Sequence, residues 1–201
     1  HKKTLKYAYN NYDKVVVVNK DLKAVTAKIS GREDNICVAS NLINYREVIE
    51  KSNIQDVQFD EETESNKTIK ELNDILENKN ISKIITIGRF SPEKGHIRLI
   101  KAFNRLYKEK KNTCLIIIGG RGKEYENTLK FIQKQPSKEN IIVIKNVSNP
   151  YVILKKCDYF VLSSFYEGFG LVIAEADILN KPVISTNVVG PRGFLEQNKG
   201  T

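Results

Sequence analysis

The sequence lacks tryptophan and methionine, has three cysteines and two histidines, and contains no long apolar run. A helix that crosses a bilayer needs about 20 mainly apolar residues, so we expect no membrane-spanning segment in these residues. With 40% hydrophobic and 8% aromatic residues, the sequence is too apolar for a disordered chain. It therefore predicts a folded domain with a substantial core.

Cysteine is scarce, and its placement excludes two kinds of site. Cys37, Cys114 and Cys157 are odd in number, far apart and set among apolar residues. No Cys-x-x-Cys pair and no Cys/His pair has the spacing of metal ligands, so we expect no metal site. The sequence predicts three buried, reduced thiols that act as small apolar residues, which indicates a cytoplasmic protein.

Basic residues outnumber acidic ones, 33 to 24, which gives a formal net charge of +9. Such a charge is compatible with nucleic acid as a partner. The lysines, however, are spread along the chain among acidic residues, and no basic run carries interleaved aromatic residues. We therefore expect no nucleic-acid partner, and the charge leaves open a phosphate-bearing partner at one local site.

Short apolar runs alternate with amphipathic segments along most of the chain. Continuous Ile and Val runs separated by helices are typical of parallel strands covered by helices on both faces. The polar stretch 55–67 interrupts this pattern and predicts a linker or domain boundary. Strands are predicted near 15–18, 36–39, 84–88, 115–120, 141–144, 159–162 and 182–185, with helices near 21–29, 97–107, 129–132 and 170–179. In such α/β sheets, ligands bind at the carboxyl ends of the strands.

The loop between Gly88 and Gly95 follows one predicted strand and opens a helix. Arg89 and Lys94 place two cations beside a helix N-terminus, which itself favours anions. The planar fork of arginine and the point charge of lysine suit a diphosphate. The alternative is that both are ordinary cations of a solvated loop. His96, which follows Gly95, is expected to be a packing or surface residue.

Glu175 stands out because its neighbours on the predicted helix are apolar. Leu171, Val172, Ile178 and Leu179 lie three or four residues from it. A carboxylate on such a face needs a specific partner, since an unpaired buried charge is costly. The hydroxyl groups of a ribose would serve, and so would an arginine of the protein.

Two glycine-rich segments follow predicted strands. Gly168 and Gly170 allow the main chain to approach a ligand at a helix start, where amide groups are free. Glu167 beside them is either a ligand contact or an ordinary loop acid. The Gly-Gly-Arg-Gly run at 119–122 predicts another flexible strand end, which is a weak signal by itself.

Four segments together resemble the retaining GT-B glycosyltransferases of family 4, the group 1 transferases. They are Gly-Arg-Phe-Ser-Pro-Glu-Lys-Gly at 88–95, Gly-Gly-Arg-Gly at 119–122, Glu-Gly-Phe-Gly-Leu-Val-Ile-Ala-Glu at 167–175 and Lys-Pro-Val-Ile-Ser-Thr at 181–186. The resemblance covers 81–197, and 12–45 also resemble part of the family's N-terminal domain. It implies an α/β fold with a Rossmann-like parallel sheet covered by helices on both faces. This is the C-terminal half of a GT-B fold, accompanied by a partial N-terminal-domain segment.

The resemblance also implies roles for single residues. Arg89 and Lys94 would hold the donor diphosphate and stabilise its departure electrostatically. Glu167 would contact the donor sugar as the third catalytic residue, and Glu175 would accept hydrogen bonds from ribose hydroxyls. Val147 and Asn149 would lie beside the base. The rest of the expected donor site comprises Gly88, Gly120, Gly168, Phe169, Gly170 and Leu171.

The implied reaction moves a sugar from a nucleotide diphosphate sugar, with UDP-sugar expected on family frequency, and retains its anomeric configuration. The class has no obligatory metal, and the sequence contains no Asp-x-Asp motif. Gly190-Pro191-Arg192 is similar to branches that build bacterial teichoic acids, capsules and other surface glycans. The expected acceptor is therefore a glycan, a teichoic acid or a lipid-linked molecule. A lipid-linked acceptor would bring a cytoplasmic enzyme to the inner face of the membrane.

The resemblance divides the chain into three parts. Residues 1–50 would be a remnant of the acceptor-binding domain with the crossover, 51–80 a polar linker with a lead-in helix, and 81–201 the donor-binding domain, truncated at its end. We expect such a fragment to bind nucleotide and to transfer no sugar. The alternative is a nucleotide-binding GT-B-like module without transfer chemistry.

Overall fold

The computed structural model describes residues 2–55, 59, 66–120 and 122–192. These residues divide into two compact units. Unit 1 comprises the described residues of His1–Ile43, Tyr166–Leu171 and Asn187–Thr201, and unit 2 comprises those of Asn44–Phe165 and Val172–Thr186. In the described part of the chain, no helix combines the length and the apolar character that crossing a bilayer requires.

Helices and strands alternate through most of these residues, as the apolar pattern predicts. The helices are α1 (Lys2–Asn11), α2 (Lys20–Ser30), α3 (Tyr45–Ser52), α4 (Asn66–Glu77), α5 (His96–Glu109), α6 (Tyr125–Ile132), α7 (Tyr151–Lys156) and α8 (Leu171–Ile178). The strands are β1 (Val15–Val17), β2 (Ile36–Val38), β3 (Ser82–Ile87), β4 (Thr113–Ile118), β5 (Ile141–Ile144), β6 (Tyr159–Leu162) and β7 (Val183–Ser185).

Unit 2 contains a five-stranded parallel sheet in the order β5-β4-β3-β6-β7. Every residue of β4 is buried, because this strand has hydrogen-bonded partners on both sides and apolar contacts on both faces. Helix α5 buries Leu99, Ile100 and Phe103 in the core, on the apolar face that their spacing predicts. The α/β fold with a parallel sheet is thus confirmed.

Unit 1 contains a two-stranded parallel sheet, in which Val16 of β1 lies opposite Cys37 of β2. Helix α2 connects the strands and has clear ends. Asn19 caps its N-terminus by accepting a hydrogen bond from the Leu22 amide at 2.7 Å. Gly31 ends it in the left-handed region, with φ at 78°, where glycine has no steric cost.

One prediction about cysteine is wrong. Cys114 and Cys157 are buried free thiols, whereas Cys37 is exposed. Its apolar neighbours predict a strand correctly, but in the described chain β2 pairs with β1 alone, and Cys37 and Val38 are both exposed.

The sequence pattern missed α1, α3 and α7. α1 and α3 contain few apolar residues, and α7 has only six residues. Packing stabilises them, because α1 lies against α2 and α3 lies against α7. The predicted linker at 55–67 falls mostly outside the described residues, although Phe59 pairs with Val147 in an isolated antiparallel bridge. Arg121 and residues 193–201 also lie outside the described part.

Candidate functional site

The loop after β3 presents its cations at the carboxyl edge of the sheet. The Gly88 amide donates to the Ile118 carbonyl at 2.8 Å, so the loop leaves the sheet directly beside β4. Arg89 is 74% exposed, and its Nη2 lies 4.0 Å from Glu93 Oε1. The Ser91 hydroxyl donates to the same oxygen at 2.6 Å and lowers the pKa of Glu93. The guanidinium of Arg89 is therefore accessible to an anion.

Gly95 joins this loop to β6. Its φ is 67°, and a Cβ placed there would collide with the Ser163 carbonyl oxygen. The Ser163 hydroxyl donates to the Lys94 carbonyl at 2.9 Å, which holds the backbone of Lys94 against the end of β6. The Lys94 side chain passes over Gly88, since a Cβ on Gly88 would lie 3.4 Å from Lys94 Cδ.

Arg98, in the first turn of α5, is a structural cation that the sequence did not reveal. Its Nη2 donates to the carbonyls of Ser163 at 2.5 Å and Ser164 at 2.9 Å. Its guanidinium also lies 4.0 Å from the ring centroid of Phe165. Arg98 thus caps the carboxyl end of β6, a role that only spatial proximity defines.

His96 is a packing residue, one of the two roles that the sequence left open. It is 4% exposed, and its ring centroid lies 4.8 Å from that of Phe90. Burial, with a smaller contribution from the charge of Lys94, lowers the pKa of His96 to about 4, so the imidazole is neutral at pH 7. A cleft of about 410 Å³ lies beside His96 and Gly95, but neither Arg89 nor Lys94 lines it.

The glycines after β4 have different roles. A Cβ on Gly119 would collide with the Phe90 ring, and one on Gly122 would collide with the Phe90 backbone. These two glycines therefore make room for the fully buried Phe90, which corrects the prediction of a merely flexible strand end. Gly120 faces open space, with nothing within 4 Å of a Cβ at that position.

Glu175 is half-buried on α8, and its partner is a tyrosine. The Tyr151 hydroxyl donates to Glu175 Oε1 at 3.1 Å. Burial raises the pKa of Glu175, and the Tyr151 hydrogen bond opposes that rise. Within the described part of the chain, no arginine or lysine forms an ion pair with Glu175, so the protein's arginine is not its partner there.

The two residues predicted beside the base lie between β5 and α7. Val147 is buried and pairs with Phe59. The Asn149 amide donates to the Lys51 carbonyl at 2.8 Å, and its oxygen accepts from the Tyr151 amide at 3.2 Å. Asn149 thus connects the end of α3 to the start of α7.

The remaining predicted residues, 167–171, belong to unit 1. The Asn19 side chain donates to the Gly168 carbonyl at 2.8 Å, and the Gly190 amide donates to the Glu167 carbonyl at 3.1 Å. A Cβ on Gly190 would lie 2.7 Å from the Phe169 amide nitrogen, so this backbone crossing requires glycine. Asn19 and Gly190 were missed as site residues because their contacts are distant in sequence.

The predicted site residues therefore fall into two groups. Unit 2 contains Gly88, Arg89, Lys94, Gly120, Val147, Asn149 and Glu175, and unit 1 contains Glu167, Gly168, Phe169, Gly170 and Leu171. Among the described residues, no group of three or more His, Cys, Asp or Glu side chains could hold a metal ion.

The family model for glycosyl transferases group 1 matches residues 67–201, more than half of the chain. The chain belongs to the group 1 glycosyl transferases. An uncharacterized glycosyltransferase of Methanocaldococcus jannaschii is 39% identical over 113 residues, which are 55% of this chain and 27% of that protein. The Staphylococcus aureus capsular polysaccharide biosynthesis glycosyltransferase CapM is 36% identical over 109 residues, covering 52% of this chain and 27% of CapM.

The fold of this group 1 glycosyl transferase chain also occurs in solved GT-B glycosyltransferases. A mutant of Staphylococcus aureus TarM in complex with fondaparinux, alpha-GlcNAc-glycerol and UDP has a TM-score of 0.75 at 21% identity. This likeness covers 98% of the present chain and 35% of TarM. The chain therefore spans about a quarter to a third of the length of these relatives.

Proposed function

We propose that this chain is the donor-binding part of a retaining glycosyltransferase that uses a nucleotide diphosphate sugar, with UDP-sugar as the expected donor. The observation that carries the proposal is that unit 2 places an exposed cation and a half-buried carboxylate after two neighbouring strands of the sheet. Arg89 follows β3, and Glu175 follows the neighbouring strand β6. The complex of TarM with UDP supports the choice of nucleotide.

Each charge suits one part of such a donor. Arg89 and Lys94 bind the diphosphate and stabilise the negative charge that develops as the sugar leaves. The half-buried carboxylate of Glu175 accepts hydrogen bonds from ribose hydroxyls, which supply the partner that an apolar helix face lacks. Glu167 contacts the donor sugar, and the departure of the diphosphate requires no metal ion.

The glycines and the residues after β5 complete the proposed site. Gly120 leaves open space at the end of β4, where a Cβ would meet nothing within 4 Å, and Gly88 at the end of β3 lies under the Lys94 side chain. The amides of Gly168, Phe169, Gly170 and Leu171 contact sugar and phosphate, and Val147 and Asn149 lie beside the base.

The proposed acceptor is a bacterial cell-surface glycan, a teichoic acid or a lipid-linked precursor. The relationship to CapM, a capsular polysaccharide biosynthesis enzyme, supports this class. In this proposal residues 1–50 belong to the acceptor-binding domain, 51–80 to a linker, and 81–201 to the donor-binding domain. The chain alone transfers no sugar, and detectable transfer to a defined acceptor would overturn that part of the proposal.

Association with the inner face of a membrane is part of the proposal. In unit 1, α1 and α2 form a groove of about 490 Å³ lined by four lysines and two apolar residues: Lys2, Lys3, Lys6, Lys28, Val25 and Ile29. Lysines around an apolar strip match an anionic lipid surface, with about 1 kcal/mol expected for each lysine. Co-sedimentation with vesicles containing one third phosphatidylglycerol, compared with pure phosphatidylcholine, tests this; equal binding to both would refute it.

Calorimetric titration with UDP, UDP-glucose, UDP-N-acetylglucosamine and GDP tests the donor. We expect one base to bind with a Kd of roughly 0.1–1 mM, about −4 to −5.5 kcal/mol. Arg89→Ala should weaken binding by about tenfold, the value of one charge-assisted hydrogen bond. Arg105→Ala, which removes an exposed cation from α5, is the matched control. Absence of binding by all four nucleotides would contradict the donor proposal.

A further inference from the structure

Helix α7 is unusually well fixed for a helix of six residues. Val152, Ile153 and Leu154 are buried in its middle. Three hydrogen bonds tie it to the ends of two other helices. Asn149, just before α7, donates to the Lys51 carbonyl and Lys155 Nζ donates to Asn53 Oδ1 at the end of α3, while Lys156 Nζ donates to Glu77 Oε1 at the end of α4. The backbone position of Tyr151, the first residue of α7, therefore depends on packing within unit 2.

The Tyr151 side chain uses this fixed position to reach α8. Its hydroxyl donates to Glu175 Oε1 at 3.1 Å. Burial, together with the charges of Glu175 and Glu47, raises the pKa of Tyr151 to about 12, so the phenol remains a donor at neutral pH. The same hydrogen bond opposes the rise that burial imposes on the pKa of Glu175. Among the described residues, Glu47 is the titratable group besides Tyr151 and Glu175 whose charge acts on this hydrogen-bonded pair.

The second oxygen of the carboxylate is left for a ligand. Glu175 Oε2 has no hydrogen-bond partner among the described residues, yet it is not one of the buried atoms that lack a partner. It therefore reaches solvent. One oxygen is held by the protein, and the other can accept from a hydroxyl group.

We propose that Tyr151 is a positioning residue of the donor site, which turns Glu175 so that its free oxygen accepts a hydrogen bond from the ribose diol of a nucleoside diphosphate. This inference rests on the proposed function, because it takes the ligand of Glu175 to be ribose. Without the Tyr151 hydroxyl, the carboxylate can rotate, and it takes up a proton at higher pH. Both effects weaken a bond to the diol and leave the diphosphate contacts unchanged.

The test compares UDP with 2′,3′-dideoxy-UDP in calorimetric titrations of the wild-type chain, Tyr151→Phe and Tyr159→Phe. Tyr159→Phe is the matched control, since it removes a hydroxyl from a 43% exposed tyrosine of β6. Tyr151→Phe should weaken the binding of UDP by about tenfold, because the ribose diol loses its hydrogen bond to a carboxylate that is no longer held in place. Its effect on the dideoxy ligand should be about twofold or less, since that ligand makes no bond to Glu175.

The pH profile supplies a readout that a structural role would not move. The diphosphate titrates alike in both ligands, so the ratio of the two affinities isolates Glu175. This ratio should collapse at higher pH in Tyr151→Phe than in the wild type, while Tyr159→Phe should follow the wild type. Equal weakening of both ligands by Tyr151→Phe, or an unmoved pH profile, would overturn the inference. If the wild-type chain bound no UDP or failed to discriminate the dideoxy ligand, the proposed function itself would fail.

Discussion

Strands β4 and β1 both contain a run of consecutive apolar residues, but their environments differ. β4 pairs with β3 and β5 and is buried at every residue. β1 pairs with β2 alone among the described residues, and Val16 at its centre is 64% exposed. An apolar run therefore predicts a strand, whereas its burial depends on partners from elsewhere in the chain. Matched substitutions in the two sheets measure this difference.

The largest effect is expected from shortening a core side chain. Ile116→Ala in β4 should lower the free energy of unfolding by about 4 kcal/mol, because it leaves a cavity in a fully buried position. Val16→Ala in β1 should cost less than about 1 kcal/mol, since most of its side chain already meets water. Urea unfolding followed by circular dichroism measures both. Similar costs per carbon removed would show that the two sheets are buried alike.

Glycine substitution compares two left-handed positions. Gly95→Ala in unit 2 should cost about 3 kcal/mol, the sum of left-handed strain and a collision with the Ser163 carbonyl. Gly31→Ala in unit 1 has the same backbone strain but only Lys6 Nζ near a Cβ, at 4.0 Å, so about 1 kcal/mol is expected. The difference between the two unfolding free energies isolates the collision. Equal losses would mean that the Ser163 carbonyl moves aside freely.

Mild acid should destabilise unit 2 through His96. The described part of unit 1 contains no histidine and should lack this effect. Burial lowers the pKa of His96 to about 4, from 6.5 when unfolded. Between these values the unfolded chain binds the extra proton, so stability falls as pH falls. From pH 7 to pH 5 this group should remove about 2 kcal/mol. The free energy of unfolding of His96→Gln, measured at both pH values, should lack this loss. If it fell with pH as steeply as that of the wild type, the prediction would be contradicted.

The smallest losses of unfolding free energy are expected from replacing a buried and an exposed cysteine by serine. Cys114→Ser should cost about 1.5 kcal/mol, because it buries a hydroxyl in an apolar strand. Cys37→Ser should cost less than about 0.5 kcal/mol at its exposed position. Thiol labelling gives a direct check: burial raises the pKa of Cys114 to about 12, so only Cys37 should react while the chain is folded. Rapid labelling of Cys114 would contradict its burial.

Local sequence signals predicted the strands of both sheets and the helices α2, α5, α6 and α8. Their apolar periods involve residues only a few positions apart, as with Ile100 and Phe103 on α5. Helix α7 was not predicted, since its six residues are stabilised by tethers to segments about 80 to 100 positions away. Separations of 65 and 66 positions likewise hid the role of Arg98, which its partners Ser163 and Ser164 define.

The sequence by itself determined the alternation of strands and helices, the two cations of the loop after β3 and the anomaly of a carboxylate on an apolar helix. These features depend on residue type and short spacing, which a linear pattern contains. Only the tertiary structure decided that Tyr151 is the partner of Glu175, that Gly119 and Gly122 make room for Phe90, and that Cys37 is exposed. Hydrogen bonds and burial depend on which distant segments meet, and that outcome is set by packing of the whole chain.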